Sequence, residues 1–285
     1  MNIGQALVYG QKELKNSDSP YLDTRLLLEF ITQVSHGQLI ADPDRVLYPV
    51  ETSIFLELVH RAARFEPIPY LLRSAPFYGN EFIVSPSVLI PRPETELLID
   101  SVVEYLWETG REDDKLTVVD VGTGSGNIAI TLAKMLPKAD IVAIDISKEA
   151  LILAKQNADW HGVANRIGLI HGDLLLPIDF EPDLIVANLP YVAEDEWSLL
   201  DRSVRLFEPE IALNGGNTGM KIISDLLDQA EDQLALGGAI FLEIGWQQGT
   251  AVRQLAASVF PRATISVRSD LSDLDRIVSI ETSPE

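Results

Sequence analysis

Between Val118 and Ile130 the chain writes an apolar strand, a glycine loop and the start of a helix in immediate succession. Val118-Val119-Asp120-Val121 is the strand, Gly122-Thr123-Gly124-Ser125-Gly126 the loop, and Asn127-Ile128-Ala129-Ile130 the helix opening. A strand that feeds a helix through glycines requires a crossover to a parallel neighbour. Further apolar runs follow at Ile141 to Asp145, Ile167 to Ile170, Leu184 to Ala187 and Ala239 to Ile244, with helical stripes between most of them. That alternation predicts a parallel sheet with helices on both faces. The last two runs, Ala263 to Val267 and Arg276 to Ile280, have no helix between them and predict a terminal antiparallel pair.

The glycine loop also predicts a ligand. Glycines let the backbone turn sharply and approach a bound group, and the helix that follows presents free N–H donors. Asp145 ends the next strand, where a carboxylate can accept from both hydroxyls of a ribose. The dinucleotide fingerprint G-x-G-x-x-G would put its third glycine at position 127, which is Asn127. The spacing here is G-x-G-x-G, which points instead to S-adenosylmethionine (SAM). Gly122, Thr123, Gly124, Ser125, Gly126 and Asp145 are therefore the candidate cofactor residues. Asp173 and Leu174 follow the third strand; the acid can accept from an adenine amino group while Leu174 covers the ring.

Asn188-Leu189-Pro190-Tyr191 closes the fourth strand, at the edge where such sheets place their chemistry. An –NH2 group has two hydrogens to give. The Asn188 side-chain carbonyl can accept one and the Leu189 backbone carbonyl the other. Pro190 biases Leu189 to an extended conformation, and Tyr191 can pack on the flat target group. Asn188, Leu189, Pro190 and Tyr191 are thus the candidate catalytic and substrate-binding residues, with Asn188 also at the cofactor.

Composition narrows the class. The 285 residues carry 43 acidic and 22 basic side chains, a formal net charge of −21, and no cysteine. Such a surface repels phosphate backbones, and the missing thiols exclude disulfide scaffolds, zinc ribbons and cysteine nucleophiles. His36, His60, His161 and His171 show no ligand spacing, so no metal site is expected. No apolar run is long enough to span a bilayer, and Met1-Asn2-Ile3-Gly4-Gln5 lacks the pattern of a leader; a cytoplasmic protein is expected. Residues 1–75 read as a small helical bundle, with stripes at Ile3-Ala6-Leu7, Leu26-Leu27-Phe30-Ile31 and Ile54-Phe55-Leu58-Val59-Ala62. Ser19-Pro20 reads as a cap with proline at the first helical position. Phe77-Tyr78 and Phe82-Ile83-Val84 flank Gly79-Asn80 and read as a hairpin.

Taken with Glu66-Pro67-Ile68-Pro69-Tyr70-Leu71, Ile90-Pro91-Arg92-Pro93-Glu94-Thr95-Glu96, Phe207-Glu208-Pro209 and Asp275-Arg276-Ile277-Val278, these motifs resemble the release-factor glutamine methyltransferases of the PrmC/HemK type. The resemblance implies a doubly wound, Rossmann-like class I SAM methyltransferase sheet preceded by a small helical bundle. The implied boundaries are a substrate-docking domain at 1–75, a hairpin linker at 76–92 and the methyltransferase domain at 93–285. It further implies methyl transfer from SAM to the side-chain amide of the glutamine in the Gly-Gly-Gln loop of class I peptide chain release factors. A monomer is expected. Two alternatives share the same chemistry: glutamine methylation on a large-subunit ribosomal protein, and adenine-N6 methylation of nucleic acid, which the net charge disfavours. Two positions depart from the family pattern. Leu189 stands where a first proline is usual, and Arg73 stands where glycine is common.

Overall fold

The computed structural model describes residues 1–283 and divides into two compact units. The first comprises Met1–Ser74 with Asp201–Phe207. Its helices are α1 (Ile3–Glu13), α2 (Pro20–Thr32), α3 (His36–Ala41), α4 (Pro49–Ala62) and α5 (Ile68–Leu72). Asn2 caps α1 in a reciprocal box, accepting from the Gln5 N–H at 2.8 Å while its own N–H donates to Gln5 Oε1 at 3.0 Å. Pro20 does open α2, but the Ser19 side chain makes no cap bond; proline's fixed φ starts this helix without a hydroxyl. Leu27, Leu28, Phe55 and Val59 are fully buried and form the centre of the bundle. The short helix Arg202–Phe207, α9 in chain order, lies in this unit, with the Arg202 guanidinium 4.1 Å from the centre of the Phe65 ring.

Arg73 ends α5 with φ 57° and ψ 27°, in the left-handed region. A side chain there costs about 1–2 kcal/mol, which explains why glycine suits this position. Arg73 is exposed, so nothing in its packing opposes a change. Arg73→Gly is expected to stabilise the protein by about 0.5–1 kcal/mol, because glycine's extra freedom in the unfolded chain offsets part of the relief. Urea unfolding should show a raised midpoint; a lowered one would contradict this reading.

The second unit comprises Ala75–Leu200 and Glu208–Glu285. Strands β1 (Ser74–Phe77) and β2 (Asn80–Ile83) form a hairpin whose two turn residues are Tyr78 and Gly79, at φ 48° and 69°. The turn sits one residue earlier than the Gly79-Asn80 read from sequence, because a two-residue turn of this hand needs positive φ at both central positions. A 3₁₀ turn at Pro93–Thr95 leads into α6 (Glu96–Glu108). Then follow β3 (Thr117–Val121), α7 (Asn127–Met135), β4 (Asp140–Asp145), α8 (Lys148–Trp160), β5 (Ile167–His171) and β6 (Leu184–Asn188). After α9 come α10 (Lys221–Gln233), β7 (Ala239–Glu243), α11 (Gly249–Val259), β8 (Thr264–Ser269) and β9 (Asp275–Glu281).

The sheet order is β5-β4-β3-β6-β7-β9-β8, parallel except where β9 runs antiparallel to both neighbours. Side chains alternate between faces along each strand. Val118 and Val186 pack with Leu98, Val102 and Leu132 on the side of α6 and α7; Val119, Val121 and Ile185 pack with Ile223, Leu227 and Val252 on the side of α10 and α11. Both faces are covered, which is why these strands read as continuous apolar runs. In α10 the buried residues Ile223, Leu226, Leu227 and Ala230 follow the spacing of one helix stripe. Each buried leucine there contributes about 1.5–3 kcal/mol.

The chain order reverses between β3 and β6, so a crevice opens above their carboxyl ends. Asn157 of α8 is fully buried and ties the hairpin to the glycine loop. Its Nδ2 donates to the carbonyls of Ile83 at 3.0 Å and Ser125 at 2.8 Å, and its Oδ1 accepts from the Ile83 N–H at 2.7 Å.

Candidate active site

A cavity of about 610 Å³ lies at that crevice. Gly122, Thr123, Gly124, Ser125, Asp145, Asp173, Leu174, Asn188, Leu189 and Pro190 all line it. Gly126 and Tyr191, the other two residues singled out from sequence, are not among its lining residues.

The three loop glycines do different work. All have positive φ, at 75°, 55° and 81° for Gly122, Gly124 and Gly126. A Cβ at Gly124 would meet only the Gly122 carbonyl, 4.0 Å away, so this backbone borders open space. A Cβ at Gly126 would press on Ile130 and Ala154, at 3.1 and 3.2 Å. Gly126 therefore packs the turn against α7 and α8 and does not face the cavity. At Gly122 a Cβ would meet Leu189 Cδ2 at 3.1 Å. Leu189, 4% exposed, lays its side chain over the glycine loop in the place where the family has proline.

Asp145 holds the loop from below. Its Oδ2 accepts from the Gly124 N–H and its Oδ1 from the Ser147 N–H, both at 2.8 Å. Burial raises its pKa; the backbone N–H groups oppose this by favouring the carboxylate. Beneath the loop, Asp120 is fully buried, accepting from the Thr123 hydroxyl at 2.6 Å and the Ala129 N–H at 3.2 Å. Burial pushes it up to about 7, and its Oδ1 has no hydrogen-bond partner. Leu174 adopts φ 50°, a costly conformation for a leucine, which is held where the side chain borders the cavity.

On the opposite wall the parallel register of β6 and β7 sets Asn188 beside Glu243. Asn188 Nδ2 donates to Glu243 Oε2 at 2.8 Å and to Thr95 Oγ1 at 3.0 Å. The Tyr191 hydroxyl donates to Glu243 Oε1 at 3.3 Å. Tyr191 thus spends its polar end on the protein. Burial and the neighbouring carboxylate raise its pKa. Glu243 is 2% exposed, and burial pushes it up to about 7.

Several contacts that hold this geometry are not spelled out by any single motif. Glu243 is legible only as the one acid within the run Ala239 to Ile244. Glu208 joins two of the quoted motifs, since its carboxylate accepts from Arg92 Nη2 at 2.5 Å and from the Ile90 N–H at 3.2 Å. The Asn214–Gly219 loop braces the tetrapeptide. The Gly215 N–H donates to the Val192 carbonyl at 2.9 Å, and a Cβ there would sit 2.8 Å from the Pro190 carbonyl. Gln248 Nε2 donates to the Tyr191 carbonyl at 2.9 Å and to the Gly219 carbonyl at 3.3 Å.

The cavity suits a nucleoside with a charged tail. Open backbone at Gly124, a buried carboxylate at Asp145 and apolar walls from Val121, Ile144 and Leu174 match a ribose and a flat ring.

Comparison with known proteins agrees. A family described as Methyltransferase domain matches residues 112–243, and the PrmC N-terminal domain matches residues 5–72. The release factor glutamine methyltransferase of Enterococcus faecalis is 44% identical over 216 residues, covering 75% of this chain and 76% of that protein. The Bacillus subtilis protein of the same name is 36% identical across 97% of this chain and 96% of its own length. The chain belongs to the release factor glutamine methyltransferases. As a member of that family it is a SAM-dependent methyltransferase with the mixed α/β fold of class I enzymes. The 16S rRNA N2 G1207 methyltransferase of Thermus thermophilus, solved with AdoMet and guanosine, shares that fold at a TM-score of 0.51 and 17% identity, covering 73% of this chain and 49% of its own. No helix among the described residues is long and apolar enough to cross a membrane.

Proposed function

We propose that the enzyme methylates the side-chain amide nitrogen of the glutamine in the Gly-Gly-Gln loop of class I peptide chain release factors. The observation that supports this is that Asn188, Leu189 and Pro190 line the cavity while both Asn188 amide hydrogens are committed to Thr95 and Glu243, which would leave Asn188 Oδ1, with the Leu189 carbonyl, to accept from an –NH2 group. Family membership supplies the release factor as the target, and the acidic surface disfavours the adenine alternative. By the same reading the helical domain at 1–75 docks the protein substrate, the hairpin at 76–92 links it to the methyltransferase domain at 93–285, and the enzyme works in the cytoplasm.

Bound SAM supplies a sulfonium methyl group whose departing thioether keeps the bonding pair. The protein's part is to place and polarise the acceptor. Gly122, Gly124, Asp145, Asp173 and Leu174 would hold the cofactor. Asn188 Oδ1 and the Leu189 carbonyl accept the two amide hydrogens, which aims the nitrogen lone pair at the methyl group and favours pyramidal nitrogen. Both oxygens stabilise the positive charge that grows on nitrogen before it releases one proton to water. Glu243, Thr95 and the Asn214–Gly219 loop keep these acceptors preorganised.

A release factor whose loop glutamine is replaced by alanine should take up no methyl group, while the unaltered factor is modified. Uptake by the altered factor would refute the assignment. A second expectation follows from the charge of −21. Release-factor loop domains approach ribosomal RNA and are expected to be basic, so long-range attraction should speed docking. kcat/KM should fall as salt rises from low to physiological strength, with kcat little changed; a flat profile would exclude steering.

A further inference from the structure

We infer that Glu243 is a positioning residue that sets the polarity of the Asn188 amide, turning Oδ1 rather than Nδ2 toward the acceptor nitrogen. This rests on the methyl-transfer reading above and deepens it. An asparagine amide has two chemically opposite ends of nearly equal shape. At a site that must accept hydrogens, the wrong end would present donors to donors. Rotation about the side chain interconverts the two, so something must choose.

The surroundings of Asn188 make that choice. Glu243 Oε2 lies 2.8 Å from Nδ2, and Thr95 Oγ1 lies 3.0 Å from it. Each takes one of the two amide hydrogens, which leaves Oδ1 as the only polar atom of that amide free for a ligand. Thr95 is 2% exposed, so its hydroxyl oxygen is held where the Asn188 amide reaches it. A flipped amide would set Oδ1 against a buried carboxylate oxygen, where the repulsion is large. Thr95 by itself could not enforce this, because a hydroxyl both donates and accepts. The discrimination lies in Glu243, which only accepts while it is ionised.

The environment of Glu243 keeps that state within reach of neutral pH. Facing it are Asn188 and the Tyr191 hydroxyl from the segment ending β6, Thr95 and Glu94 from the turn before α6, and Arg276 from β9. Burial and Glu94 raise its pKa, while Thr95, Arg276 and Tyr191 lower it, leaving it pushed up to about 7. Once protonated, Glu243 can donate to Oδ1 and tolerate the wrong amide end. Activity should therefore fall as pH drops through this range.

The test uses the full-length enzyme with SAM, unmodified release factor, and the variants Glu243→Gln and Glu243→Ala. In Glu243→Ala turnover should drop at least 30-fold, with KM for SAM within threefold and thermal unfolding still cooperative. Glu243→Gln cannot titrate and, like protonated Glu243, can both accept and donate. It should turn over at about a tenth of the wild-type rate at pH 8, above Glu243→Ala, and lose the roughly tenfold drop that wild type shows between pH 8 and 6. Independently of turnover, nitrogen-15 asparagine labelling reads the Asn188 side-chain amide directly, assigned by its absence in Asn188→Ala. In wild type that resonance should titrate with a midpoint near 7, and in Glu243→Gln it should not. An Asn188 amide indifferent to pH and to Glu243→Gln would overturn the inference, as would Glu243→Ala turning over within twofold of wild type. Failure of wild type to methylate release factor would refute the substrate instead, and the amide resonance would still decide the role of Glu243.

Discussion

Asn188→Ala is expected to lower turnover by about 10³-fold while SAM affinity stays within threefold. The Asn188 side chain borders the cavity. Its Nδ2 is fully committed to Glu243 and Thr95, so its contribution to the reacting group is a single carbonyl oxygen. That oxygen meets a partner whose hydrogens grow more acidic as the nitrogen takes up the methyl group. The interaction is therefore stronger in the transition state than in the ground state, and its loss falls on kcat. Truncation also leaves the Glu243 carboxylate without one donor in a closed environment, which adds a modest cost in stability. Single-turnover kinetics beside SAM titration separate the two. A variant that turns over within tenfold of wild type would remove Asn188 from the chemistry.

Asp145→Ala should act on the other side of the cavity and in the other parameter. Its two oxygens accept from the N–H groups of Gly124 and Ser147, each at 2.8 Å, so the carboxylate shapes the loop even before it meets a ribose. With Asp145 in the proposed ribose-binding role, losing two charge-assisted bonds at about 1.5–3 kcal/mol each should weaken SAM binding by about 10²-fold or more. Turnover at saturating SAM should fall much less, because the ribose contacts are alike in ground and transition states. Calorimetry gives the dissociation constant directly. Unchanged affinity would exclude Asp145 from the ribose site.

The parts of this architecture that are local in sequence are legible there. The run from Val118 to Ile130 announces strand, turn and helix because both faces of the sheet are buried and the turn demands glycine. Leu184 to Tyr191 reads equally well, since an apolar strand ending in a polar, proline-bearing turn leaves few alternatives. What pattern reading misses is pairing across the sheet. Glu243 is far from Asn188 in the chain, and only the β6–β7 register brings them together. Nor does local sequence tell a glycine that faces a ligand from one that packs a helix: Gly124 and Gly126 differ only in what stands opposite their missing Cβ. The same holds for Asp201–Phe207, which lies within the catalytic half of the sequence yet belongs to the helical unit. Tyr191 reads from sequence as a platform for the target. Its hydroxyl donates to Glu243, a partner that no spacing rule could supply.

The central claim is that this cavity methylates one glutamine amide. Its most direct test is to incubate the enzyme with isotopically labelled SAM and unmodified release factor, then map the product peptides by mass spectrometry. A single methyl group is expected on the side-chain nitrogen of the Gly-Gly-Gln glutamine, absent when Asn188→Ala replaces wild type. A labelled methyl group on any other residue, or none at all with SAM binding intact, would contradict it.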